Sequence, residues 1–361
     1  MTKTLQQAWT RRGAWAWLLW PLSLLYFGAW QLRQLSYRLG LRAVHCVPVP
    51  VIVVGNLVAG GAGKTPLVIA LVAHLQALGL RPGVVSRGYG RRAHDCRLVS
   101  ADALPEDVGD EPLLIHRRTA APVGVAASRI DAARALLAAH PALDLLICDD
   151  GLQHRALHRD LEICLFDDRG IGNGFLLPAG PLREPWPRRV DLIVSSGNLP
   201  EGTIAHRVQR TLAPFGVRAD GSRLALHALA AGEGQVPPDL LAVAGTAQPE
   251  AFFEMLRAQG LHLTRTLALP DHAEFPATPW SMRDDSIVLC TEKDAVKLWR
   301  HRPDALAVPL TIELAAAFWG ELRQLLIARG SQQVRAKLSS PDGHSPTRSA
   351  GLPRHQGPAD I

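Results

Sequence analysis

The chain has 361 residues, 47% hydrophobic and 20% charged, which supplies cores for one large or two modest domains and excludes a disordered polymer. Its net charge of +6 is uneven: 11 of the 39 Lys and Arg precede the first acidic residue, Asp95, leaving 28 bases against 33 acids beyond it. A basic surface confined to the N-terminus suits an anionic membrane or a phosphorylated substrate rather than a nucleic-acid groove, and five cysteines without a C-x-x-C pair exclude a zinc ribbon or disulfide framework and fit a reducing compartment.

Residues 1–45 form the first unit. Between Arg12 and Arg33 lie 20 residues without a charge, and five of the nine tryptophans fall before residue 31. Indole rings favour the headgroup boundary of a membrane, because an apolar ring carries one polar handle. Lys3, Arg11 and Arg12 flank one side and Arg33, Arg38 and Arg42 the other. A cleaved signal peptide lacks its small-residue cleavage site here. A spanning helix has the length but carries Pro21 and bases on both flanks. A helix lying in the interface satisfies the tryptophans and both flanks, and an ordinary buried helix is the remaining reading.

Residues 46–200 read as a nucleotide-binding core. An apolar run at 51–54 enters Gly55 and Asn56, then Val58, Ala59, Gly60, Gly61, Ala62, Gly63, Lys64 and Thr65, followed by a helical pattern at 66–78. Glycines let successive backbone N–H groups curl around phosphate oxygens, Lys64 supplies charge to the β- and γ-phosphates, and the Thr65 hydroxyl suits Mg²⁺. The helix N-terminus adds its dipole. Val58 stands where the usual loop pattern has its first glycine. A second apolar run at 145–148 ends in Asp149 and Asp150, where P-loop enzymes place the acid that supports the cation.

Further apolar runs at 84–85, 163–166, 192–194, 241–243 and 287–290 alternate with helical patterns at 129–139 and 250–259. Strand, polar turn and helix in repetition predict an α/β fold with a mainly parallel sheet. The pattern weakens over 201–238, read as a linker with short strands. Residues 239–330 form a second unit, and 331–361, rich in Ser, Pro, Gly and Arg, read as a disordered tail.

Several polar motifs punctuate this frame: Ser86-Arg87-Gly88-Tyr89-Gly90, Gly109-Asp110-Glu111-Pro112, Asp149-Asp150-Gly151-Leu152-Gln153-His154-Arg155, Pro178-Ala179-Gly180-Pro181-Leu182-Arg183-Glu184-Pro185, Pro270-Asp271-His272, and Thr291-Glu292-Lys293-Asp294-Ala295-Val296-Lys297. In this order, from the N-terminal apolar segment to about residue 328, they resemble the tetraacyldisaccharide 4'-kinases of lipid A synthesis. The resemblance implies a P-loop core, a smaller C-terminal α/β domain that closes over ATP, and a membrane-associated N-terminal helix. It implies an enzyme at the cytoplasmic face of the inner membrane that phosphorylates an acylated glucosamine disaccharide 1-phosphate. The expected product is lipid IVA.

By residues alone Asp110 is an exposed turn aspartate; the resemblance makes it the acceptor of the hydroxyl proton, with His272 as its partner. Lys64 completes the catalytic set. Thr65, Asp149, Asp150 and Glu111 are the candidate Mg²⁺ ligands. Arg87, Tyr89, Gln153, His154, Arg183 and Glu184 are candidates for substrate contact, an Arg being able to grip a sugar-linked phosphate by two hydrogen bonds. Asp294 and Lys297 read as a charged helix start without assigned chemistry. ATP, Mg²⁺, the glycolipid and membrane lipid are the expected partners, and no nucleic acid. A P-loop ATPase switch of the partition or metal-insertion kind, and a non-catalytic anchored nucleotide-binding module, are the competing readings.

Overall fold

The computed structural model describes residues 9–61, 63–230, 238–271, 273, 275 and 286–339. Helix α1 (Ala14–Arg38) is followed by β1 (Val51–Gly55), α2 (Lys64–Ala77), β2 (Pro82–Ser86), β3 (Arg97–Leu98), α3 (Pro105–Val108) and α4 (Asp110–Thr119). Then come β4 (Val123–Val125), α5 (Arg129–Ala139), β5 (Leu145–Asp149), β6 (Leu161–Phe166), β7 (Leu192–Ser195) and β8 (His206–Leu212). The chain crosses to a second sheet with β9 (Phe215–Val217), β10 (Arg223–Ala225), β11 (Leu240–Ala244), α6 (Pro249–Ala258), β12 (Arg265–Ala268), β13 (Ile287–Thr291), α7 (Glu292–Leu298) and β14 (Leu306–Val308). It returns through β15 (Leu310–Leu314), α8 (Ala316–Arg329) and α9 (Gln332–Ser339).

The first sheet runs β15-β8-β7-β6-β1-β5-β2-β4-β3 and the second β10-β9-β14-β13-β11-β12. Both are parallel at their centres and antiparallel only towards an edge. A parallel strand is covered on both faces, which is why β1 and β5 are apolar throughout rather than alternating. Ile52 and Val54 enter one core with Leu67 and Leu71 of α2 and Phe318 and Leu322 of α8. Val51 and Val53, pointing the other way, join Ala132 and Leu136 of α5. In the second sheet Leu240, Ala242 and Ala244 face one core and Leu241 and Val243 another.

Three expected boundaries differ. The 201–238 segment holds the short strands expected of it, but they belong to the sheets rather than to a linker: β8 extends the first sheet beside β7, and β9 and β10 pair antiparallel at the edge of the second; residues 231–237 lie outside the described ones. The second lobe spans 215–308 rather than 239–330, because β15 pairs antiparallel with β8 and α8 buries Phe318, Leu322 and Leu326 in the first core. The expected tail from Ser331 begins too early. Val334 and Leu338 of α9 are buried, and Lys337 and Gln333 bond the buried Asp144 at 2.7 and 2.8 Å. Residues 340–361 lie outside the described ones. Two apolar side chains and two that bond Asp144, placed at helical spacing, outweighed a composition poor in aromatics.

α1 contains Pro21 and still runs for 25 residues. Ser23 donates to Leu176 O at 2.8 Å and Trp9 Nε1 to Pro178 O at 2.9 Å. Its other side exposes Trp15, Trp17, Leu18, Leu22, Leu24, Leu25 and Leu32. Among the described residues no helix is long and apolar enough to cross a membrane.

Candidate active site

Strand β1 delivers the chain to the carboxyl edge of the first sheet, where ligands of open α/β sheets bind. The turn into α2 is held from within and from one side. The buried Asn56 donates from Nδ2 to Val58 O at 2.6 Å and accepts from Lys64 Nζ at 3.2 Å. Ala59 N donates to Pro181 O at 2.8 Å, and Arg169 reaches Ala59 O and Gly61 O, both at 3.1 Å. Left-handed backbone falls on Gly60 (φ 98°) and Gly63 (φ 78°), and not on Val58, which is buried in a bridge to Leu182. That placement explains why a valine is tolerated where the usual loop has glycine. Ala62 lies outside the described residues.

No side chain caps α2, so the N–H groups of its first turn stay open. Lys64 Nζ lies 3.5 Å from Asp150 Oδ1, and Arg183 reaches the same oxygen at 3.5 Å. Burial pushes the Asp150 carboxyl up, but Lys64, then Arg183 and Arg129, outweigh it and hold the group below the usual carboxylate range. Asp150 also takes a left-handed φ of 50°, with its carbonyl accepting from Arg129 at 3.2 Å. Asp149 is fully buried. Burial first, then Glu111 and Asp150, push its carboxyl upward. Its Oδ2 accepts from Ser86 at 3.3 Å, while Oδ1 is buried with no hydrogen-bond partner among the described residues. A buried, unpaired carboxylate oxygen beside further acids and the Thr65 hydroxyl fits a divalent cation. Among the described residues no three His, Cys, Asp or Glu side chains converge as a metal cage.

Asp110 opens α4 and is 4% exposed, not the surface turn residue that its motif alone suggests. Close backbone contact sets it there. A Cβ on Gly109 (φ 93°) would sit 2.9 Å from Gly88 Cα, so two glycines let the 86–90 loop lie on the 109–110 turn. Asp110 Oδ2 pairs with Lys297 Nζ at 2.9 Å, and Glu111 with Lys293 Nζ at 3.4 Å. Lys293 also pairs with Asp271 at 2.9 Å; His272 lies outside the described residues. The two lysines were not anticipated as site residues. Their i, i+4 spacing on one face of α7 was the available signal.

The remaining candidates divide. Arg87 and Tyr89 are exposed on the 86–90 loop, Tyr89 by 65%. Gln153 donates to Asn56 O at 3.3 Å. His154 is half-buried, with its pKa lowered to about 4 by burial and then by Arg129, Arg159, Arg33 and Arg87. Glu184 is 1% exposed and bound by Arg188 at 2.9 Å and Arg155 at 3.7 Å, a placement that supports those arginines rather than meeting a substrate. α1 reaches this group directly: Tyr26 donates to Arg183 O at 2.7 Å, and Arg33 to Gln153 O at 2.9 Å.

Between the lobes lies a cleft of about 210 Å³. Gly61, Gly63, Thr65 and Glu111 line its polar end, Arg210 of β8 its side, and Phe252 and Met255 of α6 its apolar end.

The chain matches the sequence profile of the family described as Tetraacyldisaccharide-1-P 4'-kinase, LpxK, over residues 15–328. It is 53% identical over 334 residues to the tetraacyldisaccharide 4'-kinase of Acidovorax sp. (strain JS42), covering 92% of this chain and 96% of that protein. It is 52% identical to that of Polaromonas naphthalenivorans (strain CJ2), covering 96% and 100%. Among solved structures it is similar to the "apo" form of LpxK from Aquifex aeolicus in complex with ATP, with a TM-score of 0.72 and 28% identity, covering 88% of this chain and 99% of that one. A profile spanning both lobes, relatives matched nearly end to end, and a shared fold place the chain in the tetraacyldisaccharide-1-P 4'-kinase family.

Proposed function

We propose that the chain moves the γ-phosphate of ATP onto the 4'-hydroxyl of a tetraacylated glucosamine disaccharide 1-phosphate, forming lipid IVA, with Mg²⁺, at the cytoplasmic face of the inner membrane. One observation carries the reading. The open N-terminus of α2, with Lys64 facing Asp150, adjoins Arg183 and Gln153, and both of these are bonded to a helix whose far side is apolar and exposed. A nucleotide site and a lipid-facing helix are thus one continuous structure.

Backbone N–H groups of Gly60, Gly61, Gly63 and Lys64, with the Lys64 ammonium, hold the β- and γ-phosphates; Ala59 N, bonded to Pro181 O, shapes the turn instead. Thr65, Asp149, Asp150 and Glu111 would hold Mg²⁺, which supplies charge neutralisation at the phosphates. Arg87, Tyr89, Gln153, His154 and Arg183 line the acceptor side. Asp110 takes the hydroxyl proton, assisted by His272, as the sugar oxygen forms its bond to the γ-phosphorus. The bond from that phosphorus to the bridging oxygen breaks, and its electron pair leaves with ADP. α1 lies in the membrane interface, its tryptophans and leucines inserted and its flanking arginines at the headgroups.

The test uses the purified full chain, Mg²⁺ and ATP labelled at the γ-phosphate, with and without the disaccharide lipid. Label on the 4'-position of the lipid is the expected result. Label released only as inorganic phosphate, at a rate indifferent to lipid, would sink this reading and favour an ATPase switch.

A further inference from the structure

The two lobes meet along a row of ion pairs. Glu106 of α3 pairs with Arg300, just beyond α7, at 2.6 Å; Asp110 with Lys297 at 2.9 Å; Glu111 with Lys293 at 3.4 Å; and Arg118 with Glu292 at 2.6 Å. These pairs are not equivalent. The Arg300 and Glu106 side chains are each about a third exposed, where water and salt screen the attraction. Lys297 and Asp110 are far more buried, at 14% and 5%. There the Coulomb term is strong, and an ion left alone is costly.

A carboxylate that accepts a proton must stand still relative to the hydroxyl it serves, because small displacements cost large factors in rate. Lys297 Nζ holds Asp110 Oδ2 at 2.9 Å. It is itself steered by the main chain, with Nζ 3.4 Å from Ala273 O. Asp110 belongs to the first lobe and Lys297 to the second, on α7, whose Lys293 lines the nucleotide cleft.

We propose that Lys297 is the positioning residue for Asp110: from the second lobe it holds this carboxylate in place through the buried ion pair at 2.9 Å. This rests on the reading of Asp110 as the proton acceptor.

The experiment compares Lys297→Met, Lys297→Arg, Arg300→Gln and Asp110→Asn in the full chain, together with Asp110→Asn/Lys297→Met. It measures kcat, affinity for a non-hydrolysable ATP analogue, and thermal stability. Lys297→Met is expected to lower kcat by roughly 100-fold, the scale on which breaking a buried ion pair acts, with analogue affinity within about threefold. Lys297→Arg should recover most of the rate. Arg300→Gln, which cuts the same row away from Asp110, should stay within about threefold of wild type. In the Asp110→Asn background, Lys297→Met should cost little more, because both changes act through one carboxylate. Equal losses in Lys297→Met and Arg300→Gln, or additive losses in the double variant, would overturn the proposal and leave the row a simple latch. If Lys297→Met does not fold, Lys297→Gln is read in its place against the same outcomes. An active Asp110→Asn would instead remove the reading of Asp110 itself, whereas an inactive Asp110→Asn beside a fully active Lys297→Met removes only this inference.

Discussion

Two strand-to-helix turns face each other across the cleft, and their helix N-termini are treated in opposite ways. At the turn from β1 into α2 no side chain caps the helix, and glycine at 60 and 63 leaves backbone N–H groups to be satisfied by something else. At the turn from β13 into α7 the protein caps itself. Thr291 Oγ1 accepts from Asp294 N at 3.2 Å, and Asp294 Oδ2 accepts from Thr291 Oγ1 at 2.6 Å and from Gly245 N at 2.9 Å. Both turns lie at the carboxyl edge of a parallel sheet. The uncapped turn is the one proposed as the anion site, and the capped one faces it with rigid side chains.

The sharpest way to break this contrast is at Lys64. Lys64→Ala should lower kcat by about 100- to 1000-fold, the usual scale for losing a preorganised group that stabilises transition-state charge, with an unchanged melting curve; near-normal turnover would mean the open turn is not the phosphate cradle. Next in size is α1, whose apolar side is largely exposed. Replacing Trp17, Leu18 and Leu25, exposed by 53, 67 and 72%, with Ser in one variant should weaken vesicle co-sedimentation roughly 100-fold, from about 3 kcal/mol of lost apolar burial. It should leave ATPase-site binding alone, because none of the three makes the Ser23 or Tyr26 bonds; unchanged sedimentation would place the membrane contact elsewhere.

On the capped side, Thr291→Val should cost about 1 kcal/mol of stability in denaturant melts while kcat at saturating ATP stays within about threefold. A large kcat loss would show that this turn is chemically active after all. The smallest effect belongs to His154. Its folded pKa of about 4 lies below the ordinary 6.5, so the unfolded chain binds a proton that the folded chain refuses. Stability from this group is therefore intact above 6.5 and is lost as pH falls towards 4. His154→Gln should flatten that decline, by less than about 1 kcal/mol because the ring is only half-buried; parallel declines in wild type and variant would show an ordinary imidazole.

Local signals made much of this readable. The helix at 129–139 was placed to the residue, and those at 66–78 and 250–259 fell within two residues of α2 and α6, because apolar spacing and capping residues act over a single turn. The strands β3, β4, β12, β14 and β15 escaped notice, being two to five residues long. The boundary between lobes was misplaced because the return of β15 to pair with β8 is a contact between residues 100 apart, and no local pattern encodes it. Asp110 looked like a surface aspartate because its burial comes from Gly88 and Lys297, neither of which is near it in sequence.

The order of glycines, Lys64 and Thr65 after an apolar strand is chemistry written contiguously, so the chain itself determined the phosphate loop, the acids after β5 and the tryptophan-rich helix. The convergence of Asp110, Lys293 and Lys297 from two lobes was decided only by folding, because electrostatic partners across a cleft are selected by distance in space and leave no periodicity in the sequence.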